Sequence, residues 1–154
     1  MPFTIKHATP EDAECVAELI AHLLTELSDG GPIEDLSTYT SVCRDLLTSE
    51  GLYCALLALD NDDRPVGVLT LSECAAVYAL GQFGEISEFY VAPDSRSAGL
   101  GQQLLDHAAD HGRSRGWSRL EVCAPDLPRW ARSVQFYEAN GFSNVGPRLK
   151  KLLL

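Results

Sequence analysis

The stretch Glu88-Phe89-Tyr90-Val91-Ala92-Pro93-Asp94-Ser95-Arg96-Ser97-Ala98-Gly99-Leu100-Gly101 decides how the rest of the chain is read. Its first four residues close a strand that begins at Glu85, and Ala92-Pro93-Asp94 ends it, since proline and aspartate favour turns. From Gly101 to Arg115 the pattern predicts a helix, with Leu100, Leu104, Leu105 and Ala108 inward and Gly116 as its stop. Strand, glycine-bearing turn and helix start therefore follow one another. Amides at a helix start have no acceptor within the helix. Together with the helix dipole they suit an anion, and glycines let a phosphate approach the backbone. Neither G-x-G-x-x-G nor G-x-x-x-x-G-K-[ST] occurs, so two familiar phosphate loops are excluded. The spacing is R-x-x-G-x-G. On composition alone, a tight strand–helix connection explains it equally well.

Upstream, Phe3, Ile5 and His7 alternate with polar residues as in a short strand. Thr9-Pro10-Glu11-Asp12 is a helix-start pattern. Val16, Ala17, Ile20, Leu23, Leu24 and Leu27 continue it at helical spacing, up to Asp29-Gly30-Gly31-Pro32. A second helix is expected from Asp35 to Ser49. Strands are expected at Leu52–Leu59 and Val66–Leu71, joined as a hairpin by Asp60-Asn61-Asp62-Asp63. Residues 72–84 fit either a longer strand or a loop with one helical turn. Downstream, the pattern gives a strand over Arg119–Cys123, a helix over Arg129–Ala139, and one or two short strands in Phe142–Leu154. The order β-α-α-β-β-β-α-β-α-β is a mixed α/β layer architecture. No composition shift divides the 154 residues, so one domain over 1–154 is expected.

The net charge of -10 is poorly suited to nonspecific nucleic-acid binding. No apolar run approaches the ~18 residues of a membrane helix, and no basic-then-apolar leader opens the sequence. A cytoplasmic protein with neither nucleic-acid nor membrane partners is expected. The charge is uneven. Residues 1–92 hold 16 acids and 3 Lys or Arg, a net of -13, whereas residues 93–154 hold 6 acids and 9 Lys or Arg, a net of +3. An anionic ligand is favoured by the second part and a cationic one by the first. The five cysteines are well separated and read as free thiols, with Cys123 as a wall residue. His107 and His111 stand at i,i+4 but lack the glutamate of H-E-x-x-H, and His7 and His22 have less context still, so no metal is expected. No G-x-S-x-G elbow is present.

Three separated motifs, Ile5-x-x-Ala8-Thr9-x-x-Asp12, Arg96-x-x-Gly99-x-Gly101 and Phe136-Tyr137-Glu138-x-x-Gly141-Phe142, together resemble the GNAT superfamily of acyl-CoA-dependent N-acyltransferases. The resemblance covers nearly the whole chain. It implies a single-domain, largely antiparallel sheet flanked by helices, with a splayed strand pair admitting acyl-CoA. It also implies acetyl-CoA as cosubstrate. The amides of Ser97, Ala98, Gly99, Leu100, Gly101 and Gln102 would hold its pyrophosphate, with Arg96 beside the phosphates. The backbone of Phe89, Tyr90 and Val91 would pair with the pantetheine arm. Tyr137 matches the residue that assists the departing thiolate. Two positions depart from the family's pattern. Trp130 stands where family members often carry asparagine, and Ser87 where they often carry a carboxylate.

Glu88 is then the first candidate for base or water-positioning residue and Glu85 the second; loss of the amine proton to bulk water is a third route. In a regular strand Glu88 would face away from Ser87, and a bulge in the splayed strand would alter that. The expected activity is acetyl transfer to a primary amine, with a cationic small molecule favoured by the charge map. A protein or peptide acceptor, or a non-catalytic acyl-CoA sensor, are the alternatives. A homodimer is expected, with Leu149, Leu152, Leu153 and Leu154 as a candidate contact.

Overall fold

The structure, a computed structural model, describes residues 2–123 and 130–154. Its internal contacts separate two units, Met1–Leu120 and Glu121–Leu154. The first holds strands β1 (Thr4–His7), β2 (Tyr53–Leu59), β3 (Pro65–Ala76) and β4 (Gly81–Val91), each paired antiparallel with the next. Helices α1 (Ala13–Leu27) and α2 (Leu36–Thr48) lie between β1 and β2 in sequence, and α3 (Leu100–Arg115) follows β4. The fold is thus mixed α/β, with a mostly antiparallel sheet flanked by helices.

Side-chain alternation divides the sheet into two faces. Ala55, Leu57, Val68 and Tyr90 pack against Val16, Ala17 and Ile20 of α1 and Cys43 of α2. Leu56, Leu69 and Leu71 are buried on the other face. There Gly67 approaches α3 so closely that a Cβ would lie 3.2 Å from both Leu100 and Leu104.

The start of α1 shows how the local signals act. The Thr9 amide donates to Asp12 Oδ2 at 2.8 Å, and Lys6 pairs with Asp12 Oδ1 at 3.1 Å. Pro10–Asp12 forms a 3-10 turn, so the α-helix proper starts at Ala13. Residues 72–84 take the longer-strand option. β3 runs on to Ala76, a turn occupies 77–80, and β4 starts at Gly81, four residues before the expected strand start.

In the second part of the chain, β5 covers Leu120–Val122 and α4 Ala131–Ala139. Within the first unit, the backbone after α3 runs beside β4, with Ser118 N donating to Gln82 O and Gly84 N to Arg119 O, both at 3.0 Å. Arg129, the expected first residue of α4, lies outside the described residues. The expectation of strands in the tail is corrected, since 142–154 contains none. Asn144 Oδ1 accepts the Gly146 amide at 2.9 Å, closing a local turn, and Pro147 offers no amide to a ladder. Leu149, Leu152, Leu153 and Leu154 are all exposed, so no buried face sets a strand alternation there.

The end of α3 is locked to the hairpin of β3 and β4. Trp117 follows α3 and fills a slot made by two glycines. A Cβ on Gly84 would lie 2.2 Å from the Trp117 ring, and one on Gly112 would lie 2.9 Å from it. The indole N–H donates to Glu73 Oε1 at 2.6 Å, and Arg115 donates to both oxygens of the same carboxylate at 2.9 and 3.0 Å. Because the slot has no spare volume, Gly84→Ala should destabilise the protein by about 1–3 kcal/mol. Urea unfolding measures this, and adding Trp117→Leu to the same chain should return part of the loss. Unchanged stability in the single variant would contradict the slot.

Candidate functional site

The β4–α3 connection is built from backbone rather than from side chains. A 3-10 turn, Pro93–Ser95, leads to Arg96 in an extended conformation. Ser97 then adopts a left-handed conformation (φ +64°), as does Gly99 (φ +84°), which caps α3. Glycine suits that geometry because it has no Cβ to clash. Among the described residues no side chain caps the start of α3, so that end retains its donors and its positive dipole. Ser97, Ala98 and Gly99 are exposed, whereas Leu100 is buried against Gly67 and anchors the turn to the sheet.

Arg96 is held on three sides. Its Nε donates to the Val91 carbonyl at 2.8 Å, its guanidinium pairs with Glu26 at 2.7 Å, and it lies 5.6 Å from the centre of the Tyr90 ring. His22 stacks on that ring as well, at 6.2 Å. Burial, followed by the Glu26 charge, raises the Tyr90 hydroxyl above its ordinary pKa. Neither Glu26 nor His22 was singled out for this role in the sequence. Their partners are 70 and 68 residues away, and no local spacing announces the contact.

The other half of the site depends on a bulge in β4. Thr70 pairs with Glu88 and Leu71 with Ile86, which leaves Ser87 as an extra residue. Ser87 and Glu88 therefore both reach the α1/α2 face. Ser87 Oγ lies 2.9 Å from Ser72 Oγ. The Glu88 carboxylate accepts from the hydroxyl of Thr70, which is fully buried, and Thr70 Oγ1 accepts the Glu88 amide at 3.0 Å. The Tyr53 hydroxyl also points at Glu88, at 3.5 Å. Burial raises the Tyr53 phenol and lifts the Cys43 thiol to about 11, and the Glu88 charge adds to both shifts. Both groups thus stay protonated around the carboxylate at neutral pH. Glu85 lies in register with Ser72 instead, beyond the bulge. Phe89 is half-buried opposite Leu69, Tyr90 is buried, and the Val91 carbonyl is taken by Arg96.

An open groove lies between the end of α1 and the start of α2. Leu24, Leu27, Pro32, Ile33, Glu34 and Tyr39 line it, and among the described residues its lining includes no Lys or Arg. Tyr39 is one helical turn before Cys43, whose thiol feels the Glu88 charge.

In the second unit, α4 carries Tyr137. The helix ends with Gly141 left-handed (φ +88°), and the Phe142 amide folds back to the Tyr137 carbonyl at 3.0 Å. The rings of Phe136 and Phe142 stand edge-on to Tyr137 at 5.7 and 5.4 Å. Burial raises its hydroxyl to about 12, so it stays protonated at neutral pH. Trp130 caps the start of α4, where its carbonyl accepts the amides of Ser133 and Val134. Cys123 and Arg132 are exposed.

Comparison with known proteins gives the family. The profile of the Acetyltransferase (GNAT) family matches residues 17–142. The aminoalkylphosphonate N-acetyltransferase of Salmonella typhimurium is 30% identical over 149 residues, which cover 97% of this chain and 90% of that protein. The amino-acid acetyltransferase of Escherichia coli K12 is 28% identical over 155 residues, covering 97% of this chain but only 30% of that longer protein. In fold, the aminoglycoside acetyltransferase HMB0005, from an uncultured soil metagenomic sample, superposes with a TM-score of 0.80 at 21% identity over the full length of both chains. The profile spans most of the sequence, the strand, glycine turn and helix occur in the order the resemblance requires, and the chain belongs to the GNAT family of acetyl-CoA-dependent acetyltransferases.

Proposed function

We propose that residues 1–154 act as one N-acetyltransferase domain, which transfers an acetyl group directly from acetyl-CoA to the primary amine of a cationic small molecule. The observation that carries this reading is the bulge at Ser87. It puts the Glu88 carboxylate on the α1/α2 face, on the same strand that leads into the uncapped start of α3. One strand then serves both substrates. The amides of Ser97–Gln102 take the pyrophosphate of the coenzyme, and Phe89–Val91 pair through their backbone with its pantetheine arm.

With both substrates bound, the chemistry needs little more than orientation and two proton movements. The ammonium loses a proton to Glu88, directly or through a water. The neutral nitrogen attacks the thioester carbonyl, and backbone N–H groups of β4 stabilise the oxygen as it gains charge. The C–S bond breaks as C–N forms. Tyr137 donates its proton to the sulfur, and the proton shed by the new amide restores the phenol. Tyr137→Phe should cut turnover by about 10–1000-fold with little change in coenzyme affinity. Glu88→Gln should lower kcat/KM at neutral pH and recover toward the parent at alkaline pH, where the amine deprotonates unaided. Full turnover in the first variant, or a pH-independent loss in the second, would remove that residue from its role. Since burial lifts the phenol from 10.0 to about 12, turnover of the parent should not decline as pH rises toward 10.

The charge of the first 92 residues, net -13, and a groove holding Glu34 and, among the described residues, no basic side chain support a cationic acceptor. Such a surface concentrates cations, and salt weakens the effect. A second reading has a specific observation in its favour. The two named relatives act on an aminoalkylphosphonate and an amino acid, in which an acidic group accompanies the amine. Initial rates across a panel separate the readings: a diamine, a neutral-bodied amine, an aminoalkylphosphonate, an amino acid and a basic peptide end, each at low and high salt. The diamine should lead in kcat/KM, and its lead should shrink with salt. A leading aminoalkylphosphonate at low salt would overturn the cationic acceptor, and a leading peptide would move the acceptor to proteins. Coenzyme binding without acetylation of any amine would leave an acyl-CoA sensor.

The exposed leucines at 149 and 152–154 support a homodimer in which a second copy covers them. Sedimentation should show a dimer that is lost when residues 149–154 are deleted. A monomer of the full chain at tens of micromolar would refute the pairing.

A further inference from the structure

We propose that His7, Cys54 and His111 form a binding site for one zinc ion. The three residues come from β1, β2 and α3. His7 pairs with Leu56 in the sheet, and Cys54 is two residues from Leu56 on the same strand, so both side chains lie on the α3 face. His111 reaches them from the last turns of α3. Cys54 Sγ lies 3.5 Å from His7 Nδ1, and the His7 and His111 rings are 5.3 Å apart between centres. One donor atom from each of the three residues lies within 4.8 Å of the other two.

Tetrahedral zinc, with bonds of about 2.0–2.3 Å, holds its donor atoms roughly 3.3–3.7 Å apart. Cys54 and His7 already have that spacing, and His111 needs to close by about an ångström, within reach of side-chain rotation. Two imidazoles and a thiolate are a borderline-soft donor set that suits zinc and excludes magnesium and calcium. His7 is exposed, which leaves an entry path and room for a water as the fourth ligand. On binding, the Cys54 thiol releases its proton to solvent and its sulfur donates an electron pair to the metal.

The surroundings favour such a site. The His111 ring rests edge-on against Trp117 at 5.3 Å, and Trp117 is fixed by its slot and by Glu73. Arg115 is the nearby cation that would oppose a metal, but its guanidinium is paired in bidentate fashion with Glu73. The i,i+4 partner visible in the sequence is not involved, since His107 Nδ1 is engaged with the Gln103 carbonyl at 2.9 Å. Glu88 and its partners occupy the opposite face of the sheet. The ion would therefore take no part in acetyl transfer and would pin the ends of β1 and α3 across β2.

The test uses the tag-free full chain, stripped of metal and titrated with Co2+ as an optical probe and then with Zn2+ in competition with a chromophoric chelator. One equivalent of Co2+ should give a thiolate-to-cobalt band and visible bands of tetrahedral intensity, and Zn2+ should abolish both. Cys54→Ser should lose the thiolate band. His7→Gln and His111→Gln should each weaken Zn2+ binding by at least about 10-fold, while Cys123→Ser should leave it unchanged. Added Zn2+ should raise the melting temperature of the parent and not that of Cys54→Ser, and melting in chelator shows that each variant is folded. The proposal is overturned by a parent without a thiolate band, by a band that survives Cys54→Ser or disappears with Cys123→Ser, or by Zn2+ affinity indifferent to both histidine changes.

Discussion

The antiparallel pairing of β3 with β4 accommodates one residue more on β4 than on β3, and the position of that residue, Ser87, sets the chemistry of both faces of the sheet. In a regular ladder, Glu88 would point at α3 and enter the apolar layer of Leu56, Leu69 and Leu71, where an unpaired carboxylate is strongly unfavourable. The bulge instead turns it toward α1 and α2, where Thr70 supplies a hydroxyl donor and Tyr53 a second one. The same shift returns Phe89 to the α3 face and Tyr90 to the α1 face. There Tyr90 anchors Arg96 and His22 at the edge of the glycine turn.

The start of α3 is a second constraint, and it depends on the first strand pair. Gly67 of β3 has no side chain, so Leu100 can settle onto the sheet and draw the helix start down with it. The dipole and the unbonded amides then lie at the surface directly after β4. Arg96 adds a positive charge there but shares it with Glu26. In the proposed complex, a phosphate would meet a guanidinium already positioned by Val91 and partly neutralised by Glu26, which would leave most of the attraction to the backbone amides.

Much of this was legible in the sequence, because the signals were local. Thr9 to Asp12 announced the first helix, the leucines at 100, 104 and 105 announced α3, and Gly99 and Gly101 marked the turn before it as one a phosphate could approach. The elements that were missed or misplaced depended on contacts between distant residues. The continuation of β3 to Ala76 is set by its ten-position pairing with β4. The coil of the tail reflects the absence of a face to bury its leucines against. The carboxylate on the α1/α2 face was legible only as an alternative, since alternation pointed one way and a bulge the other. The His7, Cys54 and His111 cluster left no trace, since its members lie 47 and 57 residues apart and the only histidine spacing on view, 107 to 111, pointed elsewhere.

The central claim is that the turn from Arg96 to Gly101 receives the pyrophosphate of acetyl-CoA, and calorimetry of coenzyme binding to Gly99→Asp and Gly99→Asn tests it most directly. Both replacements tolerate the left-handed backbone at φ +84° better than other side chains do, and a Cβ there meets nothing within 4 Å. They differ in charge, so a carboxylate within a few ångströms of a phosphate should weaken binding at least about 10-fold more than the amide does. The account predicts near-complete loss of affinity for the aspartate variant and substantial retention for the asparagine variant. Equal affinity of the aspartate variant and the parent would contradict it.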